Sequence, residues 1–394
     1  MRGGPESNPQ RLLVFELLSS LYLMGGVLIP FYLSWGGLNM TQVLVLQSVF
    51  MLALFVLEVP TGAVADRFGR RTALVLSGLV TGLAVLVYTA APRFELFLAG
   101  ELLFALGAAF GHGADDALLV DSLKAAGKEH ELGRYVNRLR TVHLVTLAVG
   151  SVLGGLLAQF TDVRLPFLLT AVPVLLSVAA AAALVEPPRS NGGKNSMLLM
   201  REGLGHFRRN RQLQLLALET AAVGTVGYFV LWLNQAALMQ AGVPVAFFGL
   251  LQAALAGAEV AVLTAMPRLE RRFGTHRVAQ LFPLLTGLGL LGAGLLLTAH
   301  GPAALLAGSL LLAGGFGLTQ EAFLQPSMQR LMPSEQRATV GSTVAAVGQL
   351  GRGVANPFVG FAADLSLSAT LMALGGLGLA VALFSPARKV LESD

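Results

Sequence analysis

An all-α membrane protein, with twelve transmembrane helices in two pseudo-symmetric six-helix bundles, is the fold class this sequence predicts, and three observations predict it. Hydrophobic residues fill 55% of 394 positions and charged residues only 12%, against roughly 25% charged in ordinary soluble domains, and the mean hydropathy is +0.70. The apolar residues gather into twelve runs, each near the ~20 residues a helix needs to cross the hydrocarbon core. A short basic segment, Arg67-Phe68-Gly69, returns as Arg272-Phe273-Gly274, an offset of 272 − 67 = 205 residues, or about half the chain.

The spans are expected at 12–34, 40–62, 72–91, 95–118, 138–160, 165–185, 212–238, 245–267, 277–299, 302–329, 338–363 and 367–386. The first run is too long for the core of a cleavable signal peptide and lacks a small-residue cleavage site, so it reads as a retained span. Links such as Ala91-Pro92-Arg93 and His300-Gly301-Pro302 are very short. The longest, Glu186 to Arg211, carries Pro187, Pro188, Gly192, Gly193 and six Lys or Arg. The domains follow: an N-terminal tail 1–10, a six-helix bundle 11–185, a linker 186–210, a second bundle 211–386 and a tail 387–394. In span two, Pro60 is expected to break the helix and end it near Glu58-Val59-Pro60-Thr61-Gly62.

Basic residues near span ends stay on the cytoplasmic side. With both termini inside, the inner segments hold 24 of the 27 Lys and Arg, all but Arg93, Arg164 and the intramembrane Arg352. The expected location is therefore the plasma (inner) membrane, with both termini cytoplasmic. The net charge of +5 does not indicate nucleic acid, since no aromatic residues interleave with the basic clusters. There is no cysteine, six scattered histidines give no metal spacing, and no phosphate loop or nucleophile, base and orienter set is present. Neither an enzyme nor a cofactor or metal protein is expected.

The segment Gly62-Ala-Val-Ala-Asp66-Arg67-Phe68-Gly69-Arg70-Arg71 resembles the loop between the second and third helices of the major facilitator superfamily, of the form G-x-x-x-D-R-x-G-R-R. The resemblance extends from residue 11 to about 386 and implies a transporter whose two bundles rock about a midplane site. It also implies that Asp66, Arg67 and Arg70 join a charge network at the cytoplasmic ends of the bundles, with the glycines permitting close backbone approach. The plainer alternative is a basic loop that only fixes topology. Gly107-Ala-Ala-Phe-Gly111-His112-Gly113-Ala114-Asp115-Asp116, followed by Asp121-Ser122-Leu123-Lys124, resembles a run in efflux-like branches of that family. The span-four arginine of drug/proton antiporters is replaced by Leu103. Gly150-Ser151-Val-Leu-Gly154-Gly155 resembles the end of the antiporter pattern G-P-x-x-G-G, with Ser151 in place of proline and Asn137 and Thr146 in place of the upstream glycines. Small residues spaced in this way also serve simple helix packing.

Ionisable residues inside hydrocarbon are costly and face a bundle interior or a water-filled cavity. Spans three, six and twelve contain none, and span nine holds only Arg277 at its inner end; in the family the third helix of each triplet faces lipid. The candidates for substrate or proton coupling are Glu101, Glu219, Glu259, Glu321 and Arg352. Arg352 falls mid-span on a face shared with Ser342, Ala345, Gln349 and Asn356. It is expected to pair with Glu219, Glu259 or Glu321, in a contact that either exchanges during transport or ties the bundle together. Secondary candidates are Glu16, Glu58, His112, Asp115, Asp116, Gln349 and Asn356. His112 and Asp116, at i and i+4, are expected to pair, and Glu16 is expected to snorkel to the surface. Glu101 lies about 10 Å from the outer end of span four, within reach of a cavity. Phe31, Tyr32, Trp35, Tyr228, Phe229 and Trp232 are candidate pocket residues, with Trp35 a candidate interface anchor.

The function expected is proton-coupled export of hydrophobic or cationic small molecules by a monomer embedded in the lipid bilayer. The alternatives are a facilitator or symporter importing a small solute, anionic where Arg352 attracts it, and a membrane receptor or sensor without flux.

Overall fold

The computed structural model describes residues 4–188, 205, 207–332, 337–385 and 390. Most of the expected linker and of the C-terminal tail falls outside these residues, as does the side chain of Ser342. The chain is helical throughout the described residues, without a strand. The first span is α1 (Asn8–Ser19) followed by short helical turns from Leu23 to Trp35. The rest of the first half is α2 (Met40–Phe68), α3 (Arg70–Tyr88), α4 (Phe94–Gly111), α5 (Ala114–Ala125), α6 (Leu132–Phe160) and α7 (Arg164–Ala182). The second half is α8 (Arg211–Gln240), α9 (Ala246–Phe273), α10 (Thr275–Thr298), α11 (Ala303–Gly317), α12 (Gln320–Arg330), α13 (Arg337–Leu365) and α14 (Leu367–Phe384). Eleven of the described spans are long and apolar enough to cross a membrane, and the 29-residue α13 is of matching length. The architecture is the expected twelve-span, all-α one.

Start signals are local. Asn39 caps α2 in a reciprocal box with Gln42, Asn210 caps α8 through the Leu213 amide, and Ser366 caps α14 through the Ala369 amide. The first span loses regular geometry where Gly25, Gly26 and Pro30 fall close together, and its turns lie on α6. There a Cβ at Gly154 would collide with the Leu23 carbonyl, so this glycine is needed for close backbone approach. The Gly150-to-Gly155 run is thus a packing surface in the structure. The Met24 amide is satisfied by the Thr170 hydroxyl at 3.1 Å.

Two expectations about breaks are corrected. Pro60 does not end span two: α2 runs through it to Phe68. The Thr61 hydroxyl donates to the Leu57 carbonyl at 2.7 Å and to the Ala109 carbonyl of α4 at 3.1 Å, the kind of side-chain and neighbour support that lets a membrane helix carry proline. The motif segment is therefore helical up to Phe68, and the turn is the single residue Gly69. Spans four and ten, conversely, are not continuous. α4 stops at His112, Gly113 takes φ 75°, and α5 begins at Ala114; α11 stops at Gly317 and α12 restarts at Gln320.

The internal repeat is visible in the backbone. Gly69 has φ 101°, ψ 151° and Gly274 has φ 82°, ψ 152°, each between a helix ending in Arg-Phe and the next helix. Arg67 lies over the Phe68 ring at 5.4 Å and Arg272 over Phe273 at 5.2 Å. The same offset relates Asp116 to Glu321 (321 − 116 = 205), each in the first turn after the broken span. α3 packs on α4 and α7, as α10 packs on α11 and α14. By its contacts the chain forms two compact units, Met1–Asn191 with Pro244–Ala253, and Gly192–Val243 with Ala254–Asp394.

Candidate functional site

Around the basic turn, the first unit builds a network from three helices and a loop. Arg70 pairs with Asp121 of α5 and donates to the Ala117 carbonyl at 2.6 Å, while Arg71 reaches the Ala182 carbonyl at 2.6 Å. The start of α3 presents its first free amides here, and the Glu186 carboxylate closes them, one oxygen on Arg70 N–H and the other on Arg71 N–H, both at 2.9 Å. An anion at a helix N-terminus is favoured by the exposed amides and the helix dipole. Gly69 leaves the space for it, since a Cβ there would stand 2.8 Å from the Glu186 carboxyl carbon. Gly62, Asp66 and Arg67 lie exposed on the last turns of α2. The sequence marked Asp121 only as part of the run after span four and Glu186 only as the head of the linker, and neither as a site residue.

Glu101 is 3% exposed, with no ion pair among the described residues. Its Oε1 accepts from the Gln47 amide of α2 at 2.7 Å and from the Tyr32 hydroxyl at 3.1 Å, and the Tyr88 hydroxyl is directed at the same carboxyl. Aromatic rings close the surroundings: Tyr32 meets Tyr88 edge-on at 6.2 Å and Phe97 at 5.6 Å, and Phe31 stacks on Phe167 at 3.7 Å and on Trp35 at 4.8 Å. Phe31 and Tyr32 are thus core residues around Glu101 rather than pocket lining. Trp35 lies under Arg164, whose guanidinium carbon is 5.5 Å from the ring centre.

A cavity of about 410 Å³ lies inside the first unit between α1, α3, α4, α5 and α6, lined by Glu16, Ser20, Tyr22, His112, Asp115, Asp116 and His143 among others. Glu16 does not snorkel: its Oε1 accepts from the Ser20 hydroxyl at 2.6 Å and stands 2.7 Å from His143 Nδ1. The expected His112–Asp116 pair is also corrected. The helix breaks at Gly113, so i, i+4 geometry is lost, and His112 Nδ1 lies 2.8 Å from Glu58 of α2 instead.

In the second unit the buried acid is Glu219, 1% exposed, which accepts from the Ser385 hydroxyl at 2.5 Å and faces the Gln320 amide at 3.5 Å. Glu321 is exposed and Glu259 half-buried. It is Gln320, not its acidic neighbour, that α12 turns inward. The expected partners of Arg352 are corrected as well: among the described residues it pairs with none of the three acids, and its guanidinium carbon lies 5.8 Å above the Tyr228 ring. Gln349 is half-buried and Asn356 fully buried on the same helix. Phe229, 1% exposed, belongs to the core.

Comparison with known proteins places these features in context. A family profile described as Major Facilitator Superfamily matches residues 15–356. A lincomycin resistance protein of Streptomyces lincolnensis is 32% identical over 128 residues, 32% of this chain and 25% of that one. The methyl viologen resistance protein SmvA of Salmonella typhimurium is 25% identical over 242 residues, 61% of this chain and 45% of that one. The alignments thus span less than half the length of these relatives. Among solved structures, the nucleoside transporter NupG superposes with a TM-score of 0.79 at 11% identity, covering 97% of this chain and 99% of that one. A bacterial homolog of the human lysosomal transporter Spinster gives 0.75 at 16% identity, covering 99% of both chains. At such identities the likeness is one of fold.

Proposed function

Because the chain belongs to the Major Facilitator Superfamily, and is thus a multi-pass membrane transporter rather than an enzyme, we propose that it exports hydrophobic or cationic small molecules in exchange for protons. It works by alternating access as a monomer in the inner membrane, with both termini cytoplasmic, as the basic residues at span ends suggest. The observation that carries the coupling is Glu101. A carboxylate buried as an ion without a cationic partner is costly, whereas the neutral acid is tolerated. A group ringed by Tyr32, Gln47 and Tyr88 has donors for the anion and a closed apolar surround for the acid. It is therefore suited to gain and lose a proton as the site opens and closes. The direction of transport is supported by the two relatives named for resistance to lincomycin and to methyl viologen, since export is a route by which a membrane transporter confers resistance.

The test is flux in proteoliposomes with an imposed proton gradient, using ethidium and methyl viologen as cationic cargo. Wild-type protein is expected to move them against their gradients only when protons run the other way, and Glu101→Gln to abolish gradient-driven movement while leaving expression and unfolding temperature intact. Transport indifferent to the gradient, or undiminished in Glu101→Gln, overturns the coupling. Uptake in the direction of the proton gradient overturns export.

A further inference from the structure

Among the described residues, Arg352 is a cation without a counter-ion. It stands in the middle of α13, where its Nε is buried and meets no acceptor, and among the described residues it forms no ion pair. The ring of Tyr228, at 5.8 Å, recovers only part of what the guanidinium loses on leaving water. The side chain as a whole is half-buried, and two glycines border its terminal nitrogens: a Cβ added to Gly224 of α8 would be in ordinary contact with Nη1 at 3.8 Å, and one added to Gly348, a turn back on α13, with Nη2 at 4.0 Å. One turn on, Asn356 is 0% exposed, and among the described residues neither its amide nitrogen nor its amide oxygen has a hydrogen-bond partner. Buried amides are satisfied in nearly all folded proteins, so one with both atoms orphaned requires an explanation. Helical side chains lean toward the N-terminus of their helix, which sets the Asn356 amide over the turn that carries Arg352.

We propose that Arg352 and Asn356, bordered by Gly224 and Gly348, form an anion subsite in the second unit, and that its ligand is the carboxylate of a hydrophobic small molecule. The two terminal guanidinium nitrogens match two carboxylate oxygens in the bidentate geometry that arginine favours, the Asn356 amide adds a donor, and the Tyr228 ring offers apolar surface. The subsite rests on the reading of the chain as a small-molecule transporter but not on proton coupling through Glu101. It extends the cargo to hydrophobic compounds bearing a carboxylate.

The experiment is thermal unfolding of the full-length protein in detergent at fixed ionic strength, titrated with benzoate, with its neutral isostere benzamide, and with chloride. Benzoate is expected to raise the midpoint in a saturable way, and benzamide and chloride to leave it unchanged. Arg352→Gln is expected to weaken the benzoate response by roughly tenfold or more, and to unfold no earlier than wild type without ligand, because a buried unpaired charge has been removed. Arg352→Lys, which keeps the charge but not the fork, is expected to fall between them, and Asn356→Ala to weaken benzoate binding with the fold retained. Glu101→Gln is expected to keep the full benzoate response, which separates this subsite from the coupling site. Equal benzoate responses in wild type, Arg352→Gln and Arg352→Lys overturn the proposal. So does benzamide or chloride acting as strongly as benzoate. Absence of any benzoate effect, with Arg352→Gln unfolding early, overturns it in favour of an internal ion pair.

Discussion

The turn at Gly69 and its counterpart at Gly274 allow one perturbation to be read against its own control. Alanine at either position must take φ near 101° or 82° with ψ near 151° or 152°, a region held almost only by glycine, at about 1–3 kcal/mol. At Gly274 nothing lies within 4 Å of the added Cβ, so Gly274→Ala is expected to cost that amount and no more. At Gly69 the Cβ would stand 2.8 Å from the Glu186 carboxyl carbon, so the carboxylate must leave the Arg70 and Arg71 amides it holds at 2.9 Å. Hydrogen bonds to a charged group contribute about 1.5–3 kcal/mol each, and partial exposure places these two at the low end, together about 3 kcal/mol. Gly69→Ala is therefore expected to lose about 4–6 kcal/mol. The assay is unfolding in mixed micelles titrated with dodecyl sulfate, on both single variants, on Glu186→Ala, and on each combined with it. With Glu186→Ala in place, the penalty of Gly69→Ala should fall to that of Gly274→Ala, a coupling of about 3 kcal/mol between neighbouring sites, while Gly274→Ala should add to Glu186→Ala without coupling. Equal losses at the two glycines, or additivity at Gly69, would show that Glu186 does not brace this turn.

Other outcomes follow from the same geometry. Tyr32→Phe removes the 3.1 Å bond to Glu101 and should lower stability by about 1–2 kcal/mol, measured by thermal unfolding, with a partial loss of gradient-driven flux. Asn8→Ala removes three bonds, to Ser122 at 2.8 Å, to the Val185 carbonyl at 2.6 Å and from the Val185 amide at 2.9 Å. It should lose about 2–4 kcal/mol, and an unchanged unfolding midpoint would contradict the role given to these bonds. Thr61→Val deletes the hydroxyl beside Pro60 and should cost about 1 kcal/mol, with faster amide exchange confined to residues 62–68.

What could be read from residue order was what depends on composition and spacing. The spans follow from apolar run length. The repeat follows from Arg67-Phe68-Gly69 and Arg272-Phe273-Gly274, whose matching backbones the structure records. Glu101 stood out as an acid inside a span, and the structure places it among hydroxyl and amide donors. What could not be read depends on partners distant in sequence. Pro60 alone signals a break, and only the Thr61 hydroxyl and the Ala109 carbonyl from another helix show why the helix continues. The choice between Gln320 and Glu321 turns on the helix restart after Gly317, which rotates α12 by an amount no periodicity forecasts. Arg352 was expected to find an acid because a buried charge needs one, and hydropathy cannot reveal that none of the three candidates turns toward it. Glu186 gave no signal, because its role exists only once the start of α3 is beside it.

The clasp made by Asn8 has a consequence for biosynthesis. Its side-chain amide and the peptide of Val185 bond to each other in both directions, across 185 − 8 = 177 residues. The contact cannot form until the sixth span has left the ribosome, and it then closes the beginning of the chain onto the end of the first unit. A nascent chain that stops before Val185 lacks this fastening, whereas one that has passed it can complete the seam while the second half is still being made.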